Sequence, residues 1–337
     1  MASGGGQVWA NIVVSSAGGF EALVKGIKEG ALKSVAVLTG AGISTAAGIP
    51  DFRSPGGMYE QLRPELLTAS AEQREAMAQE PTLVVDWELF SVNQLPYLEV
   101  RRPFILGTAE GKWRPTLGHF FLRLLEDRGL LRRLYSQNID GLDHALGLPP
   151  ERLVKVHGSL ASISCEFCAA PCPSSEFCTA LRSSVRDIYE TGDPSAPALS
   201  SPIPCPSCGR NGLKPDTVLF GRQLPAAYFA AVAADFPAPV DLLLCVGTSL
   251  TVHPAAALVT KVAPSTLRLV VNQAPVGRHL GLSFTEGSSD ILLQGDCDSS
   301  FLALSSALGW LPQLASYRSL MAEQSRVLLD QALMSQP

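Results

Sequence analysis

The 337-residue sequence predicts a doubly wound α/β fold, a parallel sheet with helices on both faces and a second, smaller unit inserted into it. Three observations carry that prediction: short β-branched or Leu-rich runs, a Gly or Asn turn after them, and helical stretches between them. Val35-Ala36-Val37-Leu38 is the first run and ends at Thr39-Gly40. Leu134-Tyr135-Ser136-Gln137 and Leu153-Val154-Lys155-Val156 follow, and residues 241–246, 267–271 and 291–293 continue the series. Runs this short and this apolar, flanked by helices, fit strands buried on both faces. Phe20, Leu23, Val24 and Ile27 make one helical stripe between them. Leu117, Phe120, Phe121, Leu124 and Leu125 make another, with Pro115 near its start and Gly129 just past its end.

Two stretches break the rhythm. Residues 56–112 carry helix-like pieces and no clear strand, and 159–215 hold six of the eight cysteines. Within the latter, 183–204 is rich in Ser, Pro and Ala and reads as a surface loop or partly disordered insertion. The expected division is a main domain of 20–55, 113–158 and 216–312, a small domain of 56–112 plus 159–215, and tails at 1–19 and 313–337. The C-terminal tail has helical spacing in Leu314, Tyr317, Leu320 and Met321, with no partner evident.

Composition narrows the function classes. Apolar residues make up 46% and charged residues 17%, which supports a sizeable core. Lys plus Arg is 26 against 31 for Asp plus Glu, a net charge of −5 with no basic block, so direct nucleic-acid binding is not expected. No apolar run reaches the ~18 residues that span a bilayer, so no membrane partner is expected. Residues 1–10 have neither the basic start of a secretory signal nor the arginines of a mitochondrial presequence. A cytoplasmic or nuclear protein is the expectation, with a mitochondrial location left open and the oligomeric state unassigned.

Chemistry-bearing residues gather at the strand ends. Thr39-Gly40-Ala41-Gly42-Ile43-Ser44 follows the first strand directly, where glycines let backbone approach a phosphate beside a helix start. Thr45 stands where a third Gly would complete the dinucleotide fingerprint, so a tight turn without ligand is the alternative. The next segment, Gly48-Ile49-Pro50-Asp51-Phe52-Arg53-Ser54-Pro55, is a loop combining an acid, an aromatic and an arginine. A hydride-transfer dehydrogenase would instead continue with a helix and place a ribose-binding acid about 20 residues on, and that strand is not visible. Ser136-Gln137-Asn138-Ile139-Asp140-Gly141 closes the second strand. Polar side chains there meet a ligand or each other, or cap the next helix. His157 closes the third strand just before Gly158, which opens space in front of it. An imidazole so placed suits general-base work. His119 and His144 fall on predicted helices, His253 at a helix start and His279 in a loop.

Cys165-x-x-Cys168 and Cys205-x-x-Cys208 form two knuckles whose thiolates would close a tetrahedral structural zinc site. The spacing between them exceeds the usual ~15–20 residues, an excess the Ser/Pro-rich insertion supplies. Cys172 and Cys178 are alternative ligands. Cys245 reads as core, and Cys297 ends the last strand within reach of the cofactor site.

Together these segments resemble the sirtuin family, in particular its class of cytosolic and mitochondrial protein-lysine deacetylases. Lys214-Pro215-Asp216, Phe220-Gly221, Gly247-Thr248-Ser249-Leu250 and Asn272 fall in the same order, and the resemblance runs from about residue 20 to Trp310. It implies a Rossmann-type domain binding NAD, a small helical and zinc-binding domain, and transfer of an acyl group from lysine to ADP-ribose with release of nicotinamide. His157 would then be the general base, with Asn138 beside it. Gly40, Ala41, Gly42, Ser44, Thr45, Asp51, Phe52 and Arg53 would hold NAD and close over the nicotinamide. Gln137, Asn138, Ile139 and Asp140 would line its ribose. Gly247, Thr248, Ser249, Asn272 and Gln273, with Cys297 nearby, would hold the adenosine half. Val218, Leu219, Phe220 and Gly221, with Val276, would pair with an acylated-lysine protein substrate as an added strand.

Two departures stand out. Arg222 replaces the family's usual Glu, which reverses the charge beside the peptide groove and is expected to favour acidic flanks. Gln273-Ala274 replaces a charged pair, so an adenosine-side contact is expected to be missing. The desuccinylase branch carries a Tyr and an Arg on an acidic acyl group and a different loop after Phe-Arg; the loop here matches the deacetylase branch, so simple acyl groups are favoured. Rival readings are a protein mono-ADP-ribosyltransferase on the same fold and a non-catalytic NAD and zinc scaffold, with a dehydrogenase behind them.

Overall fold

The computed structural model describes residues 12–15, 17–49, 57, 59–236, 238–285 and 287–335. Elements follow one another as strand β1 (Val13–Val14), helix α1 (Ala17–Lys28), strand β2 (Val35–Thr39), a 3-10 helix (Ala41–Ala47), and helices α2 (Ala71–Gln79), α3 (Trp87–Val92), α4 (Leu95–Ala109) and α5 (Leu117–Asp127). Strands β3 (Leu131–Ser136), β4 (Leu153–Lys155), β5 (Gly158–Cys165) and β6 (Pro171–Cys172) come next, then helix α6 (Ser174–Ser184), strand β7 (Leu213–Thr217) and helix α7 (Ala226–Asp235). Strands β8 (Leu242–Val246), β9 (Leu267–Asn272) and β10 (Asp290–Gln294) and helices α8 (Cys297–Leu308), α9 (Leu311–Ser316) and α10 (Glu323–Met334) complete the order.

Seven strands form one sheet in the order β1-β10-β9-β8-β2-β3-β4. All neighbours are parallel except β1, which pairs antiparallel with β10 through Val13 and Val14 opposite Gln294 and Leu293. β2 lies in the middle, with Val37 opposite Leu134 on one side and Leu244 on the other. Its five residues are all buried, which is why the sequence there is a continuous apolar run rather than an alternation. Alternate residues feed two cores. Val35, Val37, Leu134 and Leu244 face α1, α5 and α8, while Ala36, Leu38, Leu243, Cys245 and Val270 face the opposite layer. Phe121 stacks between Phe301 and Trp310, at 4.5 and 5.7 Å between ring centroids. Three neighbouring aromatic rings of three separate elements thus tie α5 to α8 and to the approach to α9.

A third core draws on both inserted stretches. Met77, Phe90, Tyr97 and Leu98 from the first pack with Ile163, Phe177, Leu181 and Leu213 from the second, around the three-stranded antiparallel sheet β6-β5-β7. Of the stretch 183–204, expected as a surface loop or partly disordered insertion, residues 183–184 end α6 and 185–204 form an anchored loop. Val185, Ile188 and Ile203 are buried, Asp193 pairs with the buried guanidinium of Arg102 at 2.8 Å, and Ser200 Oγ donates to Glu99 at 2.6 Å.

Both segments read as tails contribute to the main sheet and its core. β1 extends the sheet. Leu314, Met321, Leu329 and Ala332 join the first core. Ser325, fully buried on α10, donates through Oγ to Asp298, whose other oxygen accepts from Gly118 N–H at 2.9 Å. The partner missing from the sequence reading is therefore the back of α5, α8 and the 3-10 helix 41–47.

Candidate active site and metal centre

The carboxyl ends of β2, β3, β8 and β9 converge on one side of the sheet, where open α/β sheets bind ligands. The segment after β2 is a 3-10 helix, not the α-helix start the sequence suggested, and its glycines are demanded by a neighbouring loop. Gly42 N–H donates to the Gly247 carbonyl at 2.9 Å, and Gly40 N–H to Val246 at 2.9 Å. A Cβ on Gly42 would lie 2.6 Å from Gly247 Cα, and one on Gly247 (φ +56°) 2.5 Å from Ile43 N. The pattern reflects two strand-end loops locked backbone to backbone, and Gly42 N–H is spent on that lock.

The polar residues after β3 extend this lock. Gln137 Nε2 donates to Thr39 O at 3.1 Å and to Thr248 Oγ1 at 3.0 Å. Asn138 Nδ2 donates to Gly40 O at 3.1 Å and to Ser44 Oγ at 3.2 Å, and Ser44 Oγ donates to Asp140 at 2.7 Å. Ser44 and Asp140 stand behind the wall rather than in it, and burial pushes the Asp140 carboxyl up. Ser136 Oγ donates to Asp143, whose carboxyl is pushed up to about 7 by burial, with the charge of Asp140 adding to it. The fully buried His119, pushed down to about 3 by desolvation, accepts from Thr116 N–H through Nδ1 at 3.2 Å.

His157 Nδ1 donates to the Gln137 carbonyl at 2.8 Å, which fixes the tautomer and leaves Nε2 as the basic nitrogen. Burial lowers the imidazole pKa, with the carbonyl bond opposing. The ring is therefore neutral near pH 7 and able to take a proton. The sequence reading gave Gly158 the task of opening space in front of this ring. Its role is different: a Cβ there would lie 1.8 Å from the Asp216 carbonyl oxygen, so Gly158 (φ +81°) admits the backbone of β7.

These elements wall a cleft of about 840 Å³, within the range of small-molecule sites. Of the residues expected to hold cofactor, Gly40, Ala41, Gly42, Thr45, Gln137, Asn138, Ile139, Gly247, Thr248, Ser249, Asn272, Gln273 and Cys297 line it, as does His157. Asp51, Phe52 and Arg53 lie outside the described residues. Cys297 opens α8 instead of ending β10, and burial pushes its thiol well above the ordinary range. His253 precedes Pro254 and a 3-10 helix (Ala255–Thr260), and also faces the cleft. Val218, Leu219, Phe220, Gly221 and Val276 line the other end. Hydroxyls of Thr248 and Ser249, amides of Asn272 and Gln273 and a turn of bare backbone over parallel strand ends are a donor set that fits NAD.

The four Sγ atoms of Cys165, Cys168, Cys205 and Cys208 lie within 4.8 Å of one another. Two of the pairs, Cys165–Cys208 and Cys168–Cys205, are 3.7 Å apart. Four thiolates at ~2.3 Å from a tetrahedral zinc have S–S edges of about 3.8 Å, so the cluster fits that ion with no ligand to add. Cys172 and Cys178 are not part of it.

A profile of the Sir2 family matches residues 40–254. The chain is 36% identical over 304 residues to the NAD-dependent protein deacetylase hst2 of Schizosaccharomyces pombe, covering 89% of this chain and 80% of that one. The chain belongs to the Sir2 family. It is also 34% identical to the NAD-dependent protein deacetylase sirtuin-2 of Danio rerio (92% of this chain, 76% of that one) and 35% identical to sirtuin-3 of Mus musculus (92% and 86%).

Several walls of this sirtuin's cleft were missed from sequence. Val85, Tyr97 and Arg101 come from the first inserted stretch, and Thr217, Gln223, Leu224 and Phe229 flank the expected substrate segment. α4 gave no sequence signal of this, because its apolar and charged residues show no single face; in the fold most of it is buried, charged residues included. The charge reversal expected at Arg222 is offset, because Glu166 lies 3.0 Å from its guanidinium. The Asn272 amide donates to Ala274 O at 2.9 Å, so the altered pair after Asn272 still shapes the loop through its backbone. Among the described residues, no helix is long and apolar enough to cross a membrane.

Proposed function

We propose that the chain is an NAD-dependent protein-lysine deacetylase of the sirtuin type, with His157 as general base and the four-cysteine cluster as a structural zinc site. The observation that carries this is the neutral, tautomer-fixed His157 at a strand end, set between the NAD-type strand-end cradle and the segment 218–221. NAD, when bound, would supply the ribose that takes the acyl group as an ester on its hydroxyl oxygen and the nicotinamide that leaves. His157 Nε2 takes the proton of a ribose hydroxyl, and the Gln137 carbonyl stabilises the imidazolium that forms. Asn138, held by Gly40 O and Ser44, keeps a fixed amide at the cofactor wall.

Acylated-lysine protein substrates would enter as an added strand. Within 218–221, Val218 N–H is bound to His157 O and both backbone groups of Phe220 are bound to Val85 and Trp87. Among the described residues, Leu219 N–H carries no backbone partner and faces the edge opposite to the Val218 and Phe220 bonds, where an incoming strand would meet it. A thiolate zinc site fits a reducing compartment, the cytoplasm or nucleus.

The test is mass spectrometry of an acetyl-lysine peptide with and without NAD, beside a His157→Ala variant. The expected result is NAD-dependent loss of acetyl with matching O-acetyl-ADP-ribose and nicotinamide, and a rate lower by about 10²–10⁴-fold in the variant. NAD consumption with the acetyl group untouched and ADP-ribose on protein would replace this reading with the transferase.

A further inference from the structure

We infer that Glu166, in the first zinc knuckle, is the positioning residue of the substrate segment, and that through it the zinc module governs peptide affinity while leaving the cofactor half alone. The inference rests on the deacetylase reading and extends it to a residue that lies outside the cleft wall. Glu166 sits between Cys165 and Cys168, and its backbone N–H donates to Gly212 O at 2.8 Å, so the thiolate cluster fixes its place. Its side chain is 12% exposed, and the carboxylate divides between two cations of one segment. Oε2 lies 3.1 Å from Lys214 Nζ and Oε1 lies 3.0 Å from Arg222 Nε. Lys214 lies just before the stretch 217–224 that lines the cleft, and Arg222 lies within it.

The hold is tight at both ends. Lys214 is buried, and its ammonium also donates to Pro215 O at 3.0 Å and Thr217 O at 2.7 Å, which pins the end of β7. Arg222 lies over the Trp87 ring, and Trp87 N–H donates to Phe220 O at 3.0 Å. Without the carboxylate, a buried ammonium loses its counter-charge and Arg222 loses the contact that holds the far end of the turn. The cofactor half hangs on other elements: Gly40, Gly247 and Asn272 follow or end β2, β8 and β9, and among the described residues they share no hydrogen bond with this triad. A chain with Glu at 222 would find no such partner in Glu166, so the two positions act as a pair.

The experiment is a double-mutant cycle of Glu166→Gln, Arg222→Gln and the double variant in the zinc-loaded, full-length protein. Steady-state kinetics are measured for acetyl-lysine peptide and for NAD, with zinc content measured on each sample. Peptide affinity is measured by calorimetry in a His157→Ala background, a readout independent of turnover. Glu166→Gln is expected to raise the peptide KM and Kd by about fivefold, with kcat and the NAD KM unchanged and zinc retained. The double variant should fall short of the sum of the two singles, because both remove the Glu166–Arg222 contact while each also loses one of its own, to Lys214 or to Trp87. Unchanged peptide affinity, a NAD KM rising in step, or additive effects would each overturn the inference. If Glu166→Gln sheds zinc or fails to fold, Arg222→Gln decides alone, and an unchanged peptide KM there overturns it. Wild-type protein that leaves acetyl-lysine peptide untouched would sink the deacetylase reading itself, separately from the behaviour of the variants.

Discussion

Replacing Gly158 by Ala is the sharpest single perturbation of this site, because it alters neither His157 nor the segment 218–221 and still shifts one against the other. The new Cβ would lie 1.8 Å from Asp216 O, 2.8 Å from Asp216 C and 3.0 Å from Thr217 Cα, all backbone atoms that no rotamer change can clear. Relief means shifting the β7 backbone by about 1 Å, and overpacking of this kind costs about 1–3 kcal/mol. The left-handed φ of +81° adds about 1–2 kcal/mol for a residue with a Cβ. Together they predict a loss of about 2–5 kcal/mol and, for a chain of this length, a melting temperature lower by roughly 3–7 °C. Function should suffer more than stability. The His157 carbonyl and Val218 N–H share a 2.9 Å bond, so the displaced strand separates the base from the substrate segment. A misplacement of about 1 Å costs about 10²-fold in rate, and kcat/KM for an acetyl-lysine peptide should fall by that order. Calorimetric melting and steady-state kinetics on the same sample are the assays. A melting temperature within about 2 °C of wild type together with kcat/KM within about twofold would refute the argument, since backbone approach would then not be what Gly158 provides.

Asp193→Ala leaves the guanidinium of Arg102, 1% exposed, short of its carboxylate, and should cost about 3–5 kcal/mol in thermal or urea unfolding. A loss under about 1 kcal/mol would mean the loop 185–204 is not anchored there. Cys205→Ser, or a strong chelator, should release one zinc per chain, read by a metallochromic dye, and unfold the core around β5 and β7 before the large sheet melts; full activity after complete zinc loss would contradict a structural role. The proposed base His157 has to be neutral to take a proton, and burial depresses its pKa, so the acid limb of kcat/KM should lie below ~6.5 with a flat profile from there to pH 8. An acid limb centred above 7 would place the essential base elsewhere.

The strands were legible because burial on both faces writes itself as an unbroken apolar run, and the thiolates because four ligands at CxxC spacing have few other uses. What sequence hid was set by contacts between distant segments. Gly42 and Gly247 look like ligand glycines and are packed on each other. Residues 41–47 wind as a 3-10 helix whose first-turn Gly42 N–H is taken by the Gly247 carbonyl. Val13 and Val14 are too short a run to announce a strand and gain their order from the edge of β10. The walls supplied by α4 were invisible for a related reason: its apolar and charged residues show no single face, because one side meets the cleft and another holds the loop 185–204 through Glu99 and Arg102. Arg222 could be seen as unusual in sequence, and only the fold brings Glu166 to it.

The docking of α10 behind the 3-10 helix 41–47 has a consequence for how the protein comes into being. The loop that forms the cofactor cradle is synthesised early, and the helix that seats Ser325 against Asp298 behind it is synthesised far later. A nascent chain can close the small core around β5, β6 and β7 while still attached to the ribosome, because those segments lie between the two. Its cradle, however, waits for distant residues to arrive. Competence to bind the cofactor is thus acquired only once α10 has emerged, and a chain stalled before α10 would hold a formed metal centre beside an unfinished active site.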